Sequence, residues 1–542
     1  MKRTFVVSSI GAAGLCALLL VPVQGCTNLD ETPPSAITPG NFFHTEGEVL
    51  AALAGVYAQL RGTVDDYYNV SEISTDEMVV PTRGQDWYDN GTWLETHRQQ
   101  FTPTSPATLS FLNGSWNTLY AGVERANGVL DGIAKSGASS IPNGAKMQAE
   151  AKFLRAFYFY QLMDLFGGVP LATVSPIGAP DTAIAPRARV TRDSLFKFIE
   201  SELLAARPDL PLKWDAGNSG RATKGAVDAL LANMYINAGV FTKDNGINAT
   251  AYNSCAGVTV AGGINACQAA ANRVDSIRLS NTYQLADTFA KNFRADNASS
   301  PENIFVIKFA DEAGLGLNFV MRVLHYNQFS PTPWNGFSAL GTAYASFDSL
   351  DARRQAWTDS TRNGVFLVGR QANVETGKLA NDRAGNPLIF TPDIANVTSA
   401  TEGEGARIYK WSADPKHVNQ DNGNDFAWFR LAEMYLIEAE AILDGATTAA
   451  PAPNTPLALV QAVRKRDFTV DTLTSVTLPT ILRERLFEFI GEGKRRQDLV
   501  RFGQYTAPFE FKTTASPDYK VLMPIPQSQI DANPLMTQNT GY

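Results

Sequence analysis

Amphipathic helical patterns recur along most of this chain, and they constrain its fold more than any other feature. In the clearest, residues 149–166, large apolar residues such as Leu154, Phe157 and Leu165 return at three- and four-residue steps. Gly167 follows as a helix stop. Similar stripes cover residues 46–60, 115–133, 192–206, 223–238, 425–443 and 478–502. Several stripes come in pairs joined by short turns, which predicts a mainly α fold of tetratricopeptide-type helical hairpins.

The middle of the sequence, from about residue 240 to 424, has a different texture. Glycine, proline and asparagine replace the helical stripes there, apart from a strand-like run at Asn303–Phe309. We therefore predict a single domain over residues 41–542, with a loop-rich insertion between helical scaffold segments 41–240 and 425–542.

The polar run Gln420–Asp425 invites comparison with a calcium-binding loop. Gly423 stands where an EF-hand needs a ligand, so we interpret the run as a turn before a helix. We predict no metal site.

Charge and motifs argue against several functional classes. The chain has 46 basic and 54 acidic residues and a net charge of −8, so a phosphate-neutralising surface is missing and nucleic acid is not an expected partner. Its four histidines lack His-Glu-x-x-His spacing, and neither a Gly-x-Ser-x-Gly elbow nor a phosphate loop occurs. We predict no catalytic residues, no enzymatic activity and no cofactor.

Three carboxylates on one stripe, Glu484, Glu488 and Glu492, suggest a hydrolase pair at first sight. A glycosidase, however, places its two carboxyl groups on opposite sides of a bound sugar. Three arginines lie within three or four residues of these carboxylates: Arg485, Arg495 and Arg496. We interpret the group as ion pairs that pack a helix.

The N-terminus has the pattern of a bacterial lipoprotein signal. Residues 1–25 combine a positive start with an apolar stretch, and Val23–Cys26 is similar to a lipobox, although Gln24 stands where small residues are usual. The alternative, a transmembrane helix, is disfavoured by the serines, glycines and proline in the stretch. We predict cleavage before Cys26, lipidation of Cys26, and a polar tether over residues 26–40, so that the acyl chains are the only membrane anchor.

Two cysteines remain in the predicted mature chain, Cys255 and Cys267, within one Gly/Ala/Asn-rich stretch. An exported protein passes through an oxidising compartment, where a close pair is seldom left reduced. We predict a disulfide between them, the alternative being two unpaired buried thiols.

Short segments spread over nearly the whole chain form an ordered set: Ala51–Tyr57, Ser74–Glu77, Arg83–Trp87, Ala149–Phe159, Leu165–Leu171, Arg221–Ala226, Phe429–Leu436, Met523–Pro526 and Gln538–Tyr542. In this order, and behind a lipobox, they resemble the SusD/RagB family of outer-membrane nutrient-binding lipoproteins. The resemblance implies a right-handed superhelix of tetratricopeptide-like helix pairs with a loop-rich region carrying the ligand site. It also implies a SusC-like TonB-dependent transporter as partner, and a lipid-anchored location at the outer membrane, exposed at the cell surface.

Aromatic side chains in loops are the candidate ligand contacts. Sugars offer an apolar face and a rim of hydroxyls, so binding needs aromatic platforms beside polar partners. Trp87, Tyr88 and Trp93 lie within eight residues, and Tyr326 and Trp334 lie in the loop-rich middle. The segment around Trp87 resembles a widely shared family stretch, so core packing or partner contact stays open as its alternative role.

The leading hypothesis is a non-catalytic lipoprotein that binds a glycan or similar nutrient oligomer and passes it to the transporter. A tetratricopeptide-type protein-binding scaffold of the cell envelope is the alternative from another class. An envelope glycoside hydrolase is a third.

Overall fold

The apolar stripes of the sequence form helices that pack against their neighbours along the chain. The protein is described here from a computed structural model, over residues 43–176, 185–354 and 364–542. Besides short 3₁₀ turns and one π-helical turn, the helices of these ranges are α1 (Glu46–Gln59), α2 (Asp66–Ile73), α3 (Thr92–His97), α4 (Asn113–Ser136), α5 (Gly144–Phe166), α6 (Arg192–Ala206), α7 (Lys224–Ile236), α8 (Ala238–Phe241), α9 (Ala266–Leu279), α10 (Phe319–Val323), α11 (Gly341–Ser346), α12 (Leu431–Leu443), α13 (Pro456–Arg464), α14 (Leu478–Phe489), α15 (Arg495–Arg501) and α16 (Gln527–Ala532).

Helix packing follows chain order, as in stacked hairpins. Helices α4 and α5 pack as a pair, α6 packs on α5, and α7 packs on both α6 and α9. The series continues through α12 to α13 and α14. Buried apolar side chains fill the interfaces between these helices. The buried Tyr158 of α5 also donates its hydroxyl to the carbonyl of Val56 in α1, at 2.7 Å. This arrangement confirms the predicted mainly α, tetratricopeptide-like fold.

Short strands pair two by two among the loops. They are β1 (Met78–Val79), β2 (Thr259–Val260), β3 (Ile264–Asn265), β4 (Asn303–Ile307), β5 (Ser338–Ala339), β6 (Phe366–Leu367), β7 (Gly369–Arg370), β8 (Ile389–Phe390), β9 (Arg407–Ile408) and β10 (Phe426–Arg430). The pairs are antiparallel: β1 with β5, β2 with β3, β4 with β10, β6 with β9 and β7 with β8. The β1–β5 pair joins the N-terminal loops to the middle of the chain.

The predicted helix over residues 425–443 is wrong in its first third. Residues Phe426–Arg430 form β10, and helix α12 starts only at Leu431. All five residues of β10 are buried, so the run lacks the polar alternation that would have distinguished a strand from a buried helix. The turn Gln420–Asp425 accordingly precedes a strand and not a helix.

The predicted helix over residues 478–502 is also wrong, because it is two helices, α14 and α15. Gly491 and Gly493 between them have φ angles of +78° and +76°, which glycine adopts without steric cost. The break carries Glu492 off the helix face that Glu484 and Glu488 share.

These carboxylates are buried and form ion pairs, as predicted, but the predicted local partners are wrong. Glu488 pairs with arginines from distant segments, at 2.9 Å from Arg353 and 2.8 Å from Arg430. The three arginines of the prediction bond elsewhere: Arg485 to Asp498, Arg495 to Asp76 and Arg496 to Asp164. The network therefore joins α14 to remote parts of the chain and does not brace one helix internally.

The stretch assigned to the loop-rich insertion contains one long helix, α9, which packs between α7 and α12 of the scaffold. Cys255 and Cys267 are joined by a disulfide that connects the preceding turn to the start of α9. The predicted signal peptide, Cys26 and the tether lie outside the described residues. Within the described ranges, no helix combines the length and the apolar character needed to cross a bilayer.

Candidate functional site

A tight turn after β1 presents the first aromatic cluster. Arg83 and Asp86 exchange backbone hydrogen bonds of 2.9 and 3.0 Å, which folds the chain back on itself. Trp87 and Asp89 then take left-handed φ angles of +64° and +40°. Between them Tyr88 is 60% exposed, so the turn holds its ring in solvent.

The structure brings Trp87 against Trp334, although 247 residues separate them. The Trp87 indole nitrogen donates to the carbonyl oxygen of Trp334 at 2.6 Å, and both side chains are half-buried. Gly336 is required beneath this contact, since a Cβ there would lie 2.4 Å from the Trp87 ring. Two of the predicted ligand contacts thus lie next to each other, with the Trp87 ring held on the backbone of the segment that carries Trp334, and we call them the aromatic surface.

Trp93 lies under this surface. Only 8% of Trp93 is exposed, and its ring packs at centroid distances of 5.4 Å from Trp87, 4.9 Å from Phe111 and 5.3 Å from Phe337. Its indole nitrogen donates to the carboxylate of Asp89 at 2.6 Å. Trp93 therefore supports the Trp87 ring and the turn, and offers a ligand little open face.

A chain of polar groups borders the aromatic surface. Tyr326 donates its hydroxyl to Asp86 at 2.5 Å, and the guanidinium carbon of Arg383 lies 4.0 Å from the centre of the Tyr326 ring. Arg383 also reaches Asp86 at 3.3 Å and bonds Glu402. The far nitrogen of His325 lies 2.9 Å from Glu402, and because its other ring nitrogen accepts from a backbone N–H, the far nitrogen donates.

Neighbouring groups fix the protonation states of the polar residues that border the aromatic surface. Burial and the hydrogen bond to Asp86 raise the pKa of Tyr326 to about 12, so its hydroxyl stays a donor. Burial alone would raise the pKa of Glu402. Three hydrogen bonds, from the backbone N–H of Arg383, the His325 ring and the Arg383 guanidinium, instead lower this pKa to about 2. Burial lowers the pKa of His325 and keeps that ring neutral near pH 7. The site thus presents a fixed carboxylate and a fixed cation.

Two buried arginines brace the loop that carries Glu402. Arg83 donates to the carbonyls of Asn335 and Glu404 at 3.0 and 2.7 Å. Arg407 donates to the carbonyls of Glu402 and Glu404 at 2.9 and 2.8 Å. Beside this loop lies an open depression of about 480 Å³ whose lining includes Arg83, Arg383 and Glu402.

Four of the five predicted contact residues, Trp87, Tyr88, Trp334 and Tyr326, thus gather at one place, with Trp93 directly below. The sequence did not indicate Arg383, Glu402 or Arg407. Arg383 lies 297 residues after Asp86, and the segment that carries all three has the composition of an ordinary polar loop. Arg83 belongs to the Arg83–Trp87 segment that contributes to the family resemblance. That resemblance was the one sequence signal for Arg83.

Comparisons with known proteins agree with this architecture. A family model described as "SusD family" matches residues 340–542, and one described as "Starch-binding associating with outer membrane" matches residues 29–236. The starch-binding protein SusD of Bacteroides thetaiotaomicron is 26% identical, over all of this chain and all of that protein. SusD-like protein P25 of Formosa agariphila is 24% identical over 95% of this chain and 96% of its own.

Among solved structures, surface glycan-binding protein A from Bacteroides thetaiotaomicron in complex with laminarihexaose has a TM-score of 0.69 at 22% identity, covering 91% of this chain and 99% of that one. The helical fold and the two matched segments define a SusD-like protein. The chain belongs to the SusD/RagB family, as its motifs predict.

Proposed function

We propose that this protein is a non-catalytic glycan-binding protein of the outer membrane, with its ligand site on the surface formed by Trp87, Tyr88, Trp334 and Tyr326. The observation that carries the proposal is the hydrogen bond of the Trp87 indole to the backbone carbonyl of Trp334, which fixes the Trp87 ring against the remote segment that carries Trp334. Trp93 acts in this proposal as the support and not as a contact.

The chemistry of the surface suits a sugar. Aromatic faces pack on the C–H groups of a pyranose ring, and hydroxyls at its rim need donors and acceptors nearby. Asp86 and Arg383 supply both, with 38% and 51% of their side chains exposed. Because ion pairs and hydrogen bonds already hold these groups, a ligand would order few side chains on binding.

Similar proteins support the ligand class. One relative is named a starch-binding protein, and one structural neighbour was solved with laminarihexaose. Both ligands are glucose oligomers or polymers with different linkages, so maltohexaose and laminarihexaose are the natural first probes.

We expect Tyr88→Ala and Trp334→Ala each to weaken binding of maltohexaose or laminarihexaose by about 1–3 kcal/mol, the cost of removing a binding hot spot. Isothermal calorimetry on purified protein measures the affinity, and a thermal melt checks folding. Leu279→Ala is the matched control, because Leu279 is 53% exposed on α9 and outside the site.

Unaltered affinity in well-folded Tyr88→Ala and Trp334→Ala variants would remove this surface from the site. Release of reducing sugar from either probe by the wild-type protein would overturn the non-catalytic part of the proposal.

We also propose that a SusC-like TonB-dependent transporter receives the ligand. The family resemblance supports this partner, and so does the description of one matched family model as associating with the outer membrane. Affinity purification of the tagged protein from detergent-solubilised outer membranes should recover a transporter of that class. Its absence from the eluate, with the bait intact, would count against the partnership.

We further propose that acyl chains on Cys26 anchor the protein. The lipobox at Val23–Cys26 supports this. Cys26→Ala should give a folded protein that no longer incorporates radiolabelled palmitate, because the acylated thiol is gone. Label that persists in the Cys26→Ala protein would contradict the assignment.

A further inference from the structure

A second groove with an aromatic wall lies on the scaffold, sharing no lining residue with the depression at the candidate site. Its volume is about 530 Å³, and it is bordered by the loop before α7, by the segment after α9 and by β4. Trp214 and Tyr283 line it, together with the hydroxyl, amide and carboxylate groups of Thr282, Asn303 and Asp215.

The Trp214 ring is held in place from one side. The guanidinium carbon of Arg221 lies 4.0 Å from the ring centre, and the indole nitrogen donates to the carbonyl of Ala222 at 2.8 Å. Arg221 is itself clamped by two hydrogen bonds of 2.6 and 3.0 Å to the buried carboxylate of Glu150. The half-buried Trp214 is therefore a preorganised platform, which loses little freedom when a ligand stacks on it.

Tyr283 forms a second fixed wall. It is half-buried, and its hydroxyl lies 3.1 Å from the hydroxyl of Thr223 at the N-terminus of α7. Burial raises the pKa of Tyr283, so the group stays a neutral phenol. Two aromatic side chains thus border one groove from different elements.

Charge in the groove selects the class of ligand. Arg221 is neutralised by Glu150, and Asp425 at the floor is paired with Lys308 at 2.6 Å. Lys213 and Asp215 on the rim carry opposite charges. The balance leaves no excess of cations for a phosphate or a polyanion, whereas aromatic walls with hydroxyl and amide neighbours suit an uncharged sugar ring.

We infer that this groove is a second glycan-binding subsite, in which Trp214 and Tyr283 hold one neutral sugar unit. The inference rests on the proposed function only in taking the ligand to be a glycan. A protein with two separated subsites would hold a long polymer at two points and gain avidity from both.

Hydroxyl-radical footprinting of the wild-type protein tests this without altering the fold. With maltohexaose or laminarihexaose added, mass spectrometry should find reduced oxidation of Trp214 as well as of Trp87 and Trp334. Protection confined to Trp87 and Trp334 would overturn the second subsite and leave the proposed function standing. Protection confined to Trp214 would overturn the site at Trp87 and Trp334 and leave the second subsite standing.

Calorimetry on variants supplies an independent readout. In the Tyr88→Ala/Trp334→Ala double variant, residual binding of the same probes should persist, and adding Trp214→Ala should weaken it at least about tenfold. Leu212→Ala in that background is the matched control, since Leu212 is 51% exposed nearby but does not line the groove. Equal affinities with Trp214→Ala and Leu212→Ala would overturn the inference, and failure of both probes to bind wild-type protein would overturn both proposals.

Discussion

Arg430→Met is expected to lower the free energy of unfolding by about 3–5 kcal/mol, the cost of breaking a buried ion pair from one side. Arg430 lies at the centre of the buried network and contacts three carboxylates, Glu302 at 2.6 Å, Glu488 at 2.8 Å and Glu492 at 2.6 Å. All four side chains are at most 1% exposed. Methionine fills similar volume but leaves the carboxylates without that cation.

Chemical denaturation and thermal melts measure the effect, with Lys197→Met as the control. Lys197 pairs with Asp193 at 2.6 Å, but 66% of its side chain is exposed, so the pair is screened by water and contributes no more than about 0.5 kcal/mol. If Arg430→Met melts like Lys197→Met, the network does not hold α14 to β10 and to the loop before β4.

The sequence could predict this network only in part, for a physical reason. Helical periodicity identifies carboxylates that share a face, which is how Glu484 and Glu488 were recognised. It carries no information about pairing over long sequence distances, and Glu488 pairs with Arg353, 135 residues away. The existence of ion pairs was therefore predictable, while their partners depended on the tertiary fold.

The helices themselves were predictable from apolar residues at three- and four-residue steps, although α5, predicted to be amphipathic, is buried over nearly all of residues 149–166. The pattern over residues 192–206 coincides with α6, because Leu195, Ile199 and Leu203 are buried on one side. Prediction failed at β10, whose five consecutive buried residues show no alternation, and at Gly491 and Gly493, whose left-handed φ angles redirect the chain. Both failures arise where burial or backbone conformation, and not amphipathicity, decides the structure.

At the candidate site, composition indicated the aromatic residues and the fold supplied their arrangement. Two tryptophans and a tyrosine within eight residues are unusual enough to be noticed in the sequence, although Trp93 lies at the start of α3 and not in the loop. That Trp93 lies beneath Trp87 while Tyr88 faces solvent follows from the left-handed turn at Trp87 and Asp89, which no spacing rule anticipates. The polar partners Arg383 and Glu402 required the structure.

Trp93→Ala is expected to destabilise the protein by about 3–5 kcal/mol, because truncating a buried aromatic leaves a cavity that its neighbours fill only partly. The vacated space would lie between Trp87, Phe111 and Phe337, whose rings now pack on Trp93 within 5.4 Å of its centre. Loss of the indole also removes the 2.6 Å hydrogen bond to Asp89 that fixes the turn.

Tyr88→Ala is the matched control for this change, since Tyr88 belongs to the same turn but is 60% exposed, and a surface substitution of this kind shifts stability by no more than about 0.5 kcal/mol. The two variants should therefore separate the two roles: Trp93→Ala lowers the melting temperature strongly, whereas Tyr88→Ala weakens glycan binding with little effect on melting. Binding by Trp93→Ala should be measured well below the melting temperature of that variant, so that the protein is folded. Any loss of affinity then reports displacement of the Trp87 ring. A Trp93→Ala protein that melts like wild type yet loses glycan binding would make Trp93 a direct ligand contact and remove its role as the support.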